Sequence, residues 1–160
     1  MGRRIYSAGF DNISIGSAVQ DIFSLLTPAA KGAQIHWAHL EAAGVTSPAQ
    51  VRLRIKRGTA TVTQGSGGTA PTPGAVDPGD TLAAGGILHC NDTTQATTTG
   101  NFTGLVKYAQ WNVLLPWDYQ PGPEDEDRDS LLPAQAWILD LPGVITAVTC
   151  SGFLQWRELP

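Results

Sequence analysis

The sequence predicts an all-β protein, a β-sandwich of jelly-roll-like character, on three observations. Apolar residues recur at the strand period of two, most clearly in Gln50–Arg57, where Val51, Leu53 and Ile55 alternate with Arg52, Arg54 and Lys56. The composition is 42% apolar and only 15% charged, with Gly, Thr, Ala and Pro in place of the Lys and Glu that coat helices. No segment of a dozen residues carries a 3.6-residue stripe, and Pro28, Pro48, Pro116, Pro133 and Pro142 interrupt the best helical candidates. A chain of 160 residues fits one domain over 1–160 and buries roughly 70% of its unfolded surface without needing disulfides.

The expected strands, in order, are Arg4–Phe10, Asp21–Leu26, Gln34–Glu41, Gln50–Arg57, Thr81–Leu88, Leu105–Trp117, Ala136–Leu141 and Phe153–Glu158. Each is a short apolar or alternating run bounded by Gly or Pro, the spacing of a sandwich or jelly roll. In Leu105–Trp117 one parity holds Leu105, Ala109, Trp111, Val113, Leu115 and Trp117, broken by Lys107. One turn of helix is expected near Ser47–Gln50. Residues 59–86 read as one long Gly/Pro-rich loop, flexible at Gly65-Ser-Gly-Gly68 and stiff at Pro71-Thr-Pro73. Residues 121–130 form a second, acidic loop. Met1–Arg4 and the long loop are candidate arms.

The net charge of −4 is carried by one window. Glu124–Asp129 holds five acids and one arginine, so the rest of the chain is neutral. Met1–Ser7 lacks the apolar run of a signal peptide, and no stretch has the apolar length to span a bilayer. The expectation is no membrane partner and assembly in a reducing cytoplasm. Cys90 and Cys150 then read as buried thiols, a disulfide being the alternative. The sequons at Asn12, Asn91 and Asn101 read as chance matches in a Thr-rich chain.

Motif chemistry is sparse. The sequence has no Gly-x-Ser-x-Gly elbow, His-Glu-x-x-His, P-loop or dinucleotide fingerprint, and its cysteines lack zinc spacing. The reading is therefore of a protein that is not an enzyme, with no catalytic residue, metal or cofactor. His36 and His39, an odd number apart, face opposite sides of a strand and are poorly placed to share a metal. The acidic loop offers carboxylates to calcium but lacks the spaced order of an EF-hand. Nucleic acid is not expected, because an isoelectric point near 5.2 argues against a broad basic patch.

What remains is a set of contact candidates: the arm residues Arg3 and Arg4, the basic stripe Arg52, Arg54 and Lys56, the strand-exit aromatics Trp117 and Tyr119, and the acids Glu124, Asp125, Glu126 and Asp127. The stripe reads either as a solvated face paired with acids on neighbouring strands or as a dock for the acidic loop of another copy. The aromatics read as core packing, as an interface anchor or as a sugar-stacking shelf.

Arg4-Ile-Tyr-Ser-Ala-Gly-Phe10, Arg54-Ile-Lys-Arg-Gly58, Val76-Asp-Pro-Gly79, Asn91-Asp-Thr-Thr-Gln-Ala96 and Gly152-Phe-Leu-Gln-Trp-Arg-Glu158 together resemble a group of small β-sandwich virion proteins of tailed phages. The similarity runs over most of the chain in strand and turn pieces that contain no chemistry. It implies a structural part of the particle, a capsid decoration or cement protein. The implied partners are the major capsid protein and copies of itself, as a homo-oligomer in the virion. The rival expectation is a carbohydrate- or receptor-binding module of a tail or fibre.

Overall fold

Alternation along strands such as Gln50–Gly58 and Val148–Leu159 buries one row of side chains, and two antiparallel sheets bring those rows together. The computed structural model describes residues 4–100, 102, 106–122 and 128–160. Among these the strands are β1 (Ile5–Ile15), β2 (Gln20–Leu26), β3 (Gly32–Ala42), β4 (Gln50–Gly58), β5 (Val62–Thr63), β6 (Gly74–Ala75), β7 (Ile87–Asp92), β8 (Thr97–Thr98), β9 (Val106–Asn112), β10 (Trp117–Tyr119), β11 (Ser130–Leu131), β12 (Ala136–Leu141) and β13 (Val148–Leu159). The described residues contain no helix, and the Ser47–Gln50 segment is bend and strand start.

The first sheet runs β10-β3-β13-β1-β6, with β11 also on β3; the second runs β7-β2-β12-β4-β9. Without the short β6 and the added β7, the two sheets read β10-β3-β13-β1 and β2-β12-β4-β9, the interleaved order of an eight-stranded jelly roll. The segment from Thr59 to the start of β9 is an insertion between β4 and β9 that widens both sheets on the same side.

The core between the sheets holds Trp111, Trp137, Trp156, Tyr6, Phe23 and the aliphatic residues of β2, β3, β4 and β12. β4 alternates as expected, with Val51, Leu53 and Ile55 in the core. β12 is buried on both faces. Trp137, Leu139 and Leu141 face the core, while Ala136 and Ile138 pack under the insertion with Val62 and Ala96.

Three irregularities redirect side chains. A bulge between Phe10 and Ile13, with Asn12 at φ 56°, carries β1 on to Ile15, five residues past its expected end. A bulge in β2 opposite Leu139/Asp140 lets the adjacent Ile22 and Phe23 both reach the core and turns Asp21 outward beside Asp140. A third, at His36 opposite Gln155/Trp156, breaks the parity of β3, so the odd spacing of His36 and His39 no longer assigns them to opposite faces.

Two expected strands change. Leu105–Trp117 is not one strand: β9 lies in the second sheet and β10 in the first, joined by a turn in which Asn112 Oδ1 accepts from Leu114 N–H and Trp111 Nε1 donates to the Leu115 carbonyl at 2.8 Å. Thr81–Gly86 is not strand, and β7 runs instead from Ile87 to Asp92.

The long loop is not a free arm. Thr69 and Cys90 exchange backbone hydrogen bonds of 2.9 and 2.8 Å, and Ser66 and Thr94 bonds of 3.1 and 3.0 Å, covering the outer edge of β7. β6 then pairs with β1 at Tyr6 and Ser7. Arg4 is tied to Asp80 at 2.7 Å, and Gly85 and Gly86 N–H donate to Glu158 Oε1. The glycines serve close approach rather than flexibility. A Cβ on Gly68 would lie 2.1 Å from the Cys90 carbonyl oxygen, and one on Gly65 2.1 Å from that of Thr94. Gly68→Ala should therefore cost about 2 kcal/mol, read as a lower urea midpoint at unchanged m-value.

Candidate interaction surface

The basic stripe of β4 divides once neighbouring strands are in place. Lys56, expected as an exposed contact residue, is only 4% exposed. Its Nζ lies 2.9 Å from Asp140 Oδ2 and 3.6 Å from Asp21 Oδ1, and it sits 4.5 Å from the centroid of the Phe102 ring. Arg54 forms a two-point pair with the same Asp140, 3.0 Å from Nε to Oδ1 and 2.5 Å from Nη2 to Oδ2. Gln95 bridges Asp21 and Asp140, and Ala96 N–H donates to Asp21 Oδ2 at 2.7 Å. Burial raises the Asp21 pKa, against the Ala96 hydrogen bond and Lys56, which lower it. The cluster joins β2, β4 and β12 to the insertion. It removes Lys56 from any external contact and corrects the reading of three equivalent stripe cations. Arg52 alone stays exposed, 4.2 Å over the ring of Tyr108.

Trp117 and Tyr119 also turn out differently from a strand-exit shelf. In β10 they pair with Leu40 and Ala38 and pack half-buried on the rim of the core. Tyr119 Oη donates to Asp129 Oδ2 at 2.7 Å, Trp137 Nε1 donates to the same oxygen at 3.0 Å, and Lys107 Nζ reaches Tyr119 Oη and Asp129 Oδ1 at 2.6 and 2.9 Å. Lys107 pairs with the core residue Ile55 and so lies on the core side of β9, where Tyr119 and Asp129 receive its charge and account for the break in the alternation. A charge on the core side of an edge strand blocks pairing with foreign strands, and here it also closes the seam between β9 and β10. Asp129, counted among the acids of the second loop, is thus a buried internal partner. Arg3, Glu124, Asp125, Glu126 and Asp127 lie outside the described residues.

Cys90 and Cys150 are buried free thiols. Burial pushes both up to about 12, and burial is also the main cause that lifts Tyr119 to about 12. Groups raised in the fold stabilise it below their unfolded values of 9.0 and 10.0 and lose that contribution as pH rises through 12. Stability should fall as pH rises from 9 to 12 through the two thiols and from 10 to 12 through Tyr119. Denaturation at stepped alkaline pH checks this, and Cys150→Ala should flatten the slope.

The surface that sequence reasoning missed is the outer face of the first sheet. Trp37 and His39 of β3 and Phe153 of β13 stand together there. Trp37 and Phe153 meet edge to face, centroids 4.8 Å apart at 84°, and His39 stacks on Phe153 at 5.2 Å and 22°. Asp118, between Trp117 and Tyr119 in β10, points outward. It accepts from Trp37 Nε1 at 2.7 Å and from His39 Nδ1 at 2.7 Å. A carboxylate only accepts, so Nδ1 carries the proton. The His39 hydrogen bond, ahead of that from Trp37, holds the Asp118 carboxyl below its usual range. Exposed Glu41 lies 3.9 Å from His39 Nε2, and Asp11 accepts from Ser151 Oγ at 2.6 Å beside it. The result is an aromatic shelf bordered by three carboxylates. The equal parity of Trp37, His39 and Glu41 was the available signal, but Phe153 and Asp118 join only through strand pairing.

Among the described residues no three or more His, Cys, Asp or Glu converge to hold a metal. No family model and no curated protein matches the chain. Among solved structures it aligns with a chain of the "Structure of infectious bursal disease virus Gx strain" at 14% identity, covering 98% of this chain and 39% of that one, with a TM-score of 0.17. This chain spans well under half of that chain's length, and a likeness so low carries no argument.

Proposed function

We propose that this protein is a structural component of a phage virion, a capsid decoration or cement protein that acts through protein–protein contacts rather than catalysis. The observation that carries the reading is the shelf of Trp37, His39 and Phe153: these rings lie outside the core, held in place by Asp118. The rings are half-buried, each keeping part of its surface open to solvent, and fixed aromatics with satisfied polar neighbours are what anchor protein interfaces. The resemblance to tailed-phage virion proteins and the jelly-roll order support the same reading. By contrast, the buried Lys56 and the half-buried Arg54 are paired within the domain by Asp140, in the cluster that holds the insertion in place. Quantitative mass spectrometry of purified particles tests it. A decoration protein is present at a copy number comparable with the major capsid protein, whereas absence from the particle removes the proposal.

The same rings favour a second reading, a carbohydrate-binding module of a tail or fibre, because a sugar ring stacks on the open part of half-buried Trp and Phe rings. A few copies per particle, with glycan-array binding lost in Trp37→Ala, would select it.

A further inference from the structure

We propose that the shelf on the first sheet receives a second copy of this chain, which docks Arg52 and Tyr108 from the outer face of its second sheet. The inference rests on reading the shelf as a protein-contact surface, and it names the partner.

Charge and shape point to that occupant. Asp11, Glu41 and Asp118 border the shelf, and among the described residues no ion pair to Lys or Arg neutralises any of them. The complementary feature lies on the opposite face of the same sandwich. Arg52 is exposed, pairs with no carboxylate among the described residues, and lies 4.2 Å from the centroid of a Tyr108 ring that is itself 57% exposed. Its neighbours Arg54 and Lys56 are both held by Asp140, so Arg52 is the stripe cation left to act outside the domain. A guanidinium stacks on aromatic faces while its N–H groups reach carboxylates, which is the combination the shelf presents.

The two patches sit on opposite outer faces, so the contact is heterologous: each copy donates one face and accepts the other. Such contacts close into rings or run on as open chains, and both suit a protein that cements neighbouring positions on a shell.

The test is sedimentation equilibrium of the full chain at low and high salt, with charge-swapped variants at exposed positions. The wild type should associate in a concentration-dependent way that weakens with salt. Arg52→Glu should weaken association by about tenfold or more, and so should the double variant Asp11→Lys/Glu41→Lys, with thermal midpoints unchanged. Mixing the two variants should restore association, because the swapped charges again meet their opposites. A wild type that stays monomeric, variants that associate like wild type, or a mixture that fails to recover would each overturn the inference. Particle binding separates this failure from that of the proposed function. If Trp37→Ala detaches from particles while Arg52→Glu has no effect on either measurement, the shelf contacts the shell instead of a second copy. If the chain is absent from particles, the functional reading itself falls.

Discussion

Asp140→Ala should lower stability by about 3–5 kcal/mol, or prevent folding, because it leaves the buried Lys56 ammonium with Asp21 alone, at 3.6 Å, and takes from Arg54 its two-point partner. Asp140 is fully buried and is the shared acceptor for Lys56 Nζ, Arg54 Nη2 and Gln95 Nε2. Removing it strands the Lys56 ammonium beside Asp21 at 3.6 Å, with the insertion overhead. Breaking a buried pair from one side costs far more than the pair contributes net. The informative comparison is therefore the double variant Lys56→Met/Asp140→Leu, which removes one cation and one anion together. Asp21 keeps its hydrogen bonds from Ala96 and Gln95 and Arg54 is part-exposed, so much of the loss should be recovered. Urea denaturation of the two variants measures the difference. Equal loss in both would mean that shape rather than charge holds this site.

Deleting residues 65–74 should destabilise the domain by several kcal/mol rather than merely trim an arm. The segment supplies the Ser66–Thr94 and Thr69–Cys90 backbone pairs and leads directly into the pairing of β6 with β1. Without it the edges of β7 and β1 are bare, with N–H and C=O groups unpaired and strands open to other chains. The expected outcome is a large drop in thermal midpoint and a gain in aggregation. A deletion variant with wild-type stability would show that the insertion rests on the sandwich without supporting it.

The parts of the fold legible in the sequence were those governed by local pattern. β4 was readable because its two faces meet different surroundings, a core on one side and polar groups on the other. β12 was readable as strand, but its burial on both faces depends on the insertion between β4 and β9, 47 residues long, closing over it. The same limit applies to Lys56: alternation places it opposite Ile55, yet its burial depends on Asp21 and Asp140, brought alongside by strand pairing and a bulge. Composition misled at Gly65–Gly68, since glycine serves flexible linkers and tight backbone contact alike, and only the neighbouring Cys90 and Thr94 carbonyls distinguish them. The break at Lys107 was visible, but its cause was not, because Tyr119 and Asp129 come from a different sheet edge. Of the shelf, only Trp37, His39 and Glu41 could be grouped in advance. The candidates Trp117 and Tyr119 flank the residue, Asp118, that faces outward.

We propose that this protein meets other molecules through the outer face of the first sheet. Hydroxyl-radical footprinting with mass spectrometry can compare Trp37 and Phe153 in the free chain and on purified particles. Both rings should be oxidised readily when free and become protected on assembly. Rings that stay equally reactive, while protection falls on other surfaces, would contradict it.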